Sequence, residues 1–174
     1  MRVLIADAFS ASAIEEMKLA GMNVLYNDKL AGDAFKAAMV EHNPQVLVVR
    51  SKKVDAATID SGKGLQLIVR AGAGTDTIDV AHAAKTGIYV ANCPGKNANA
   101  VSELTIGMMI CIDRRMAEGN ELLHKGKWNK GMFATCKGLK GRTIGLIGFG
   151  NIAKGVCKAA KAMDMNVLVH TRTK

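Results

Sequence analysis

The stretch Thr143-Ile144-Gly145-Leu146-Ile147-Gly148-Phe149-Gly150-Asn151-Ile152-Ala153 decides how this chain reads. Its first five residues, TIGLI, form a short apolar run of strand type. Gly148, Gly150 and Ala153 then fall at the spacing G-x-G-x-x-A, and a helical pattern runs from Asn151 to Met163. A second strand signal, Asn166 to His170, follows at once. Glycine at 148 permits a tight turn, and glycine at 150 lets the backbone approach a pyrophosphate. Ala153 is small enough for helix and strand to pack closely. The helix start then offers unpaired N–H groups and a partial positive charge to phosphates. Eighteen glycines in 174 residues produce such spacings by chance, so the strand–turn–helix–strand context carries the weight. The competing reading is a glycine-rich turn that holds no ligand.

The end of the second strand bears on the ligand. An acid there would hold the ribose 2′-hydroxyl of NAD. Here the strand runs out as His170-Thr171-Arg172-Thr173-Lys174, with Thr171 in the acid's place and Arg172 beside it. A hydroxyl and a guanidinium suit a 2′-phosphate. The expected cofactor is NAD or NADP, with NADP favoured.

Upstream, strand and helix signals alternate as in a parallel α/β domain. Strands are expected at Arg2–Ala6, Val24–Tyr26, Gln45–Arg50, Leu65–Arg70 and Ile88–Ala91, and helices at Ser10–Leu19 and Gly32–Glu41. QVLVVR is almost wholly apolar, as a strand covered on both faces should be. A long apolar helix is expected from Asn97 to about Ala117, then a polar, basic segment over Glu121–Lys130. The domain reading is therefore 1–96, a connecting helix and basic connector over 97–137, and a first βαβ unit over 138–174. One βαβ unit makes no covered sheet, so the second domain reads as incomplete.

Composition narrows the class. The hydrophobic fraction is 49% with only 4% aromatics, so the core must rest on aliphatic side chains and ten methionines. Met1-Arg2 runs straight into a strand, which argues against a signal peptide. The longest apolar stretch, Leu104–Ile112, is too short to span a membrane. Cys93, Cys111, Cys136 and Cys157 stand far apart with no histidine at ligand spacing, so reduced thiols and no metal are expected. Charge is uneven. Met1–Asp113 holds 11 Lys/Arg against 12 Asp/Glu, and Arg114–Lys174 holds 13 against 3. The cations are scattered singly without aromatic partners, which disfavours nucleic acid and leaves a phosphate-bearing ligand.

Four motifs now fall in order: Arg50-Ser51; Arg70-Ala71-Gly72-Ala73-Gly74-Thr75-Asp76-Thr77-Ile78-Asp79; Asn97 with Ala100-Val101-Ser102-Glu103; and the glycine turn. This order and spacing resembles the D-2-hydroxyacid dehydrogenases over essentially the whole chain, most like their phosphoglycerate dehydrogenase branch. The resemblance implies a flavodoxin-like parallel-sheet substrate domain followed by the start of a Rossmann NAD(P)-binding domain. It implies that the amides of Ala73 and Gly74 receive a substrate carboxylate, with Arg50 and Ser51 near the other end of the acid. Asn97 matches a position near the carboxylate, and Val101 one that packs against nicotinamide. Gly148, Gly150, Asn151, Ile152, Thr171 and Arg172 would hold the dinucleotide. Plainer roles remain open: Arg50 as a solvated strand-end cation, Arg70 as an internal salt-bridge partner of the loop, and Asn97 as a helix N-cap.

In the same family an Arg, a Glu and a general-acid His lie downstream of the glycine turn, so no catalytic residue is expected within this chain. His42, His82, His124 and His170 read as structural or solvated. The resemblance implies an NAD(P)-dependent oxidoreductase of serine biosynthesis, cytoplasmic and homodimeric through the helix from Asn97, acting on a small anionic 2-hydroxy or 2-oxo acid. The chain itself would be a truncated, inactive part of one. The alternatives are a glyoxylate or hydroxypyruvate reductase, and a non-catalytic dinucleotide-binding module like the family's corepressor relatives.

Overall fold

The computed structural model describes residues 1–172; Thr173 and Lys174, the last two residues of the basic strand end, lie outside the described residues. The chain divides into two compact units, Met1–Lys96 and Asn97–Lys174.

The first unit alternates β1 (Arg2–Ile5), α1 (Ala11–Leu19), β2 (Asn23–Tyr26), α2 (Gly32–His42), β3 (Val46–Val49), α3 (Ala56–Ser61), β4 (Leu67–Arg70), α4 (Val80–Lys85) and β5 (Tyr89–Ala91). All its strands pair in parallel, in the order β2-β1-β3-β4-β5. That is the flavodoxin-like order, with its switch point between β1 and β3. Period-two alternation sends Leu4, Leu47, Val49 and Ile68 to one face, where Phe35 and Met39 of α2 and Ile59 of α3 cover them. Val3, Ile5 and Val48 face the other way and meet Ile14 of α1. Strands apolar on both faces are what such a doubly covered sheet requires. Helix α3 was absent from the sequence reading. It is short, and its start is fixed by Asp55, whose carboxylate accepts from the Thr58 amide at 2.9 Å.

The second unit runs α5 (Ala98–Asp113), α6 (Met116–His124), α7 (Lys130–Phe133), β6 (Thr143–Ile147), α8 (Asn151–Ala162) and β7 (Asn166–His170). Strands β6 and β7 pair in parallel from Thr143↔Asn166 to Ile147↔His170. The single long helix expected from Asn97 to about Ala117 is corrected to two. Arg115 adopts a left-handed φ of 51° between α5 and α6. Its guanidinium grips Glu118 through two bonds of 2.6 Å, donates to the Met132 carbonyl at 3.0 Å and lies over Phe133. These contacts offset the steric cost of a non-glycine residue in that region. The polar segment expected over Glu121–Lys130 is correspondingly half helical. Asp113, with only 6% of its side chain exposed, holds the chain entering β6 through the Gly138 amide at 2.9 Å and Arg142 at 3.0 Å. Among the described residues, no helix is long and apolar enough to cross a membrane.

Candidate functional site

In the first unit the candidate acid-binding residues lie at the C-terminal ends of β3 and β4, where open α/β sheets place ligands. The strands pair Val49 with Arg70, and the Ala71 amide donates to the Val49 carbonyl at 2.7 Å. Arg50 and Ser51 therefore begin beside the start of the glycine loop. Further out, Val54 bridges to Ile78, with the Val54 amide 2.8 Å from the Thr77 carbonyl. Asn92, just past β5, donates to the Ala73 carbonyl at 2.6 Å, and the Cys93 amide donates to the Gly72 carbonyl at 2.9 Å. The loop's carbonyls are thus tied down from behind. The amides of Ala73 and Gly74 have no partner among the described residues. Paired carbonyls with open amides make a backbone nest suited to a carboxylate.

One residue of this site escaped the sequence reading. Asp7, just past β1, lies at the switch point facing the Arg50 loop. One of its oxygens accepts the amides of Arg50, Ser51 and Lys52 at 2.8, 2.9 and 3.0 Å, and the other accepts the Ser51 hydroxyl at 3.2 Å. Burial opposes ionisation of this carboxyl, but the four hydrogen bonds outweigh it and leave its pKa below the usual range. No sequence signal marks the Asp7 arrangement, because its partners follow a strand far away along the chain. Arg70 does not take the salt-bridge role open to it: among the described residues it forms no ion pair, its guanidinium lies directly against Gly72, where any Cβ would collide, and its Nε is buried with no partner.

In the second unit the glycine turn joins β6 to α8. Gly148 has a φ of +90°, a region costly for other residues, and its amide donates to the His170 carbonyl at 2.7 Å. Gly150 is the N-cap residue, and the first helical bond runs from the Lys154 amide to its carbonyl at 3.0 Å. The amides of Asn151, Ile152 and Ala153 have no partner among the described residues, the ordinary state of a helix start. A Cβ at Gly148 or Gly150 would meet nothing within 4 Å. That space opens into a cavity of about 880 Å³ lined by Ile147, Gly148, Phe149, Lys154, His170, Thr171 and Arg172. Open backbone, free amides and basic walls fit a dinucleotide pyrophosphate.

Helix α5 packs on α8 in the same unit. The buried Ser102 hydroxyl lies 2.8 Å from the Ala98 carbonyl and 2.9 Å from that of Ile152, inside the turn's helix. Val101 is half buried on α5. Asn97 precedes that helix, exposed, and its side chain makes no capping bond, so the N-cap role open to it is not taken by the side chain. The histidines are dispersed: His42 at the end of α2, His82 on α4 against Asp60 at 2.7 Å, His124 exposed at the end of α6, and His170 at the cavity. No group of three or more His, Cys, Asp or Glu among the described residues is arranged to hold a metal.

The family model described as "D-isomer specific 2-hydroxyacid dehydrogenase, catalytic domain" matches residues 3–171. The chain belongs to this family. D-3-phosphoglycerate dehydrogenase of Archaeoglobus fulgidus is 35% identical over 98% of the chain and 32% of its own length. Hydroxypyruvate reductase of Thermotoga maritima is 46% identical over 74% of the chain and 42% of its own length. Among solved structures, NAD⁺-bound 3-phosphoglycerate dehydrogenase of Entamoeba histolytica superimposes with a TM-score of 0.79 at 30% identity, over all of this chain and 55% of that one. The chain thus spans a third to two fifths of the length of these curated 2-hydroxyacid dehydrogenases. Both the α/β reading and the resemblance stated from the four motifs agree with these findings.

Proposed function

We propose that this chain supplies the acid-binding loops and the opening of the cofactor site of a nicotinamide-dependent oxidoreductase. The reaction interconverts a small 2-hydroxy acid and its 2-oxo acid, with D-3-phosphoglycerate as the leading substrate. The observation that carries this is the glycine turn heading α8, with open space where Cβ atoms would stand and a basic cavity beyond it. Residues 1–96 hold the acid, 97–137 connect, and 138–174 begin the cofactor domain. The amides of Ala73 and Gly74 receive the carboxylate, assisted by Asn97, while Arg50 and Ser51 meet the far end of the acid. Val101 packs against the nicotinamide. Gly148, Gly150, Asn151 and Ile152 take the pyrophosphate, and Thr171 with Arg172 take the adenosine ribose, as NADP rather than NAD.

A nicotinamide dinucleotide held by these residues would supply the hydride acceptor for C2, and oxidation would also release the hydroxyl proton. We assign that proton to none of the four histidines: His42 and His124 stand at the ends of helices, His82 is paired with Asp60 at 2.7 Å, and His170 lines the cavity at the end of β7. The chain alone is therefore expected to bind nicotinamide nucleotide without turning over. A second reading, a hydroxypyruvate or glyoxylate reductase, is favoured by the Thr171-Arg172 ending, which suits NADPH. Nucleotide binding by fluorescence decides the general case, and a folded chain binding neither NADH nor NADPH would sink it. Nicotinamide oxidation with phosphohydroxypyruvate, hydroxypyruvate and glyoxylate then tests the silence. Turnover would overturn the reading that none of these histidines transfers the proton, and the preferred acid would separate the two readings.

A further inference from the structure

The cavity at the end of β7 is more basic than a pyrophosphate-binding turn requires. Lys154, His170 and Arg172 all line it. Lys154 and Arg172 are exposed, and among the described residues neither takes part in an ion pair. The acid nearest them along the chain, Asp164, follows the far end of α8 and pairs with Lys140 at 3.0 Å. Among the described residues, two permanent cations thus line one cavity that no acidic side chain lines, beside the positive end of a helix.

Position on the helix sets Lys154 apart from its neighbours. It falls three residues after Asn151, while Val156 and Ala160 turn inward as the buried residues of α8. Lys158 and Lys161 lie further along the same helix and do not line the cavity. Of the lysines of α8, Lys154 alone lines the cavity with Arg172.

We propose that Lys154 is the second cation of a subsite for the 2′-phosphate of a nicotinamide dinucleotide, acting with Arg172 to select NADPH over NADH. This rests on the cofactor reading above and names a residue that reading left out. The 2′-phosphate of the dinucleotide is close to doubly charged at neutral pH. A guanidinium engages two of its oxygens through a planar fork. A lysine ammonium is a compact point charge on a flexible stem, and it takes the oxygen the fork leaves. With only a 2′-hydroxyl present, the ammonium loses that anion and keeps only its attraction to the pyrophosphate, which both cofactors carry alike. Selectivity is therefore the readout, because a purely structural lysine would alter both cofactors alike.

The test is fluorescence titration of the full chain with NADPH and NADH, for wild type, Lys154→Met, Lys154→Arg and Arg172→Met. Circular dichroism establishes that each is folded. Wild type is expected to prefer NADPH. Lys154→Met should lose about tenfold in NADPH affinity, the scale of one charge-assisted contact, and hold its NADH affinity within about twofold. Lys154→Arg should restore the preference, and raised salt should weaken NADPH binding more than NADH binding. The proposal is overturned if Lys154→Met weakens both cofactors equally. It is also overturned if the preference survives in Lys154→Met but disappears in Arg172→Met, which would leave the cofactor reading standing. A wild type that binds NADH as tightly as NADPH would overturn the NADP reading and this subsite together.

Discussion

At the residue scale the candidate acid site depends on a carboxylate that never meets the acid. Asp7 fills the nest made by the amides of Arg50, Ser51 and Lys52, so those donors hold the loop rather than a ligand. Ser51's hydroxyl also donates to Asp7 at 3.2 Å, so of the two residues proposed for the far end of the acid, Arg50 is the one whose exposed side chain has no partner among the described residues. Asp7→Asn should cost on the order of 1 kcal/mol at neutral pH, the low end for bonds to a charged group because the carboxylate is partly solvated. Its depressed pKa fixes the sign of the pH effect. The contribution is fully present above the unfolded carboxyl value, about 3.9, and is lost as pH falls through the lower folded value. Denaturation midpoints of wild type and Asp7→Asn should therefore differ at pH 7 and converge in acid, once pH has fallen through the lowered folded value. A gap of the same size at both pH values would show that Asp7 acts through packing rather than charge.

At the element scale, what could be read in advance followed periodicity, and what could not followed contacts. The parallel strands stood out because each is apolar on both faces, and the β6–α8–β7 unit because Gly148, Gly150 and Ala153 sit between two strand signals. The break between α5 and α6 carried no glycine or proline. It is made by Arg115 in a left-handed conformation held by Glu118, Met132 and Phe133, partners that exist only after folding. Asp7 was hidden for the same reason: a loop far away in sequence, Arg50–Lys52, supplies its partners. Gly155 shows the element-level consequence. A Cβ there would run into the Ser102 hydroxyl, so glycine is what lets α8 lie close to α5 and keeps Ser102 on the Ile152 carbonyl. Gly155→Leu should destabilise the chain by about 1–3 kcal/mol, the usual range for overpacking. Nucleotide binding should weaken with it, because the displaced helix carries the turn. Thermal and denaturant melts measure the first effect, and unchanged melting with intact binding would show that α8 does not need this close approach.

At the scale of the whole molecule, the outward face of α5 asks for a partner. Leu104, Met108 and Ile112 recur every four residues and are 62%, 55% and 74% exposed, forming an apolar stripe on one side of the helix. The opposite side, at Ala98 and Ser102, is already buried. A stripe of this kind is unfavourable in water, and a second copy meeting it through the same face would cover both at once. Charge works against that association. Residues 114–174 carry 13 Lys/Arg against 3 Asp/Glu, so two copies repel through these segments. Salt screens the repulsion and leaves the apolar contact intact. Sedimentation should thus find a dimer at micromolar concentration that tightens as salt rises, the reverse of a contact made by ion pairs. Met108→Glu should leave the helical content unchanged and give a monomer, since the side chain points away from α8. A wild type that sediments as a monomer at high salt would remove the dimer and leave the stripe of α5 to some other cover.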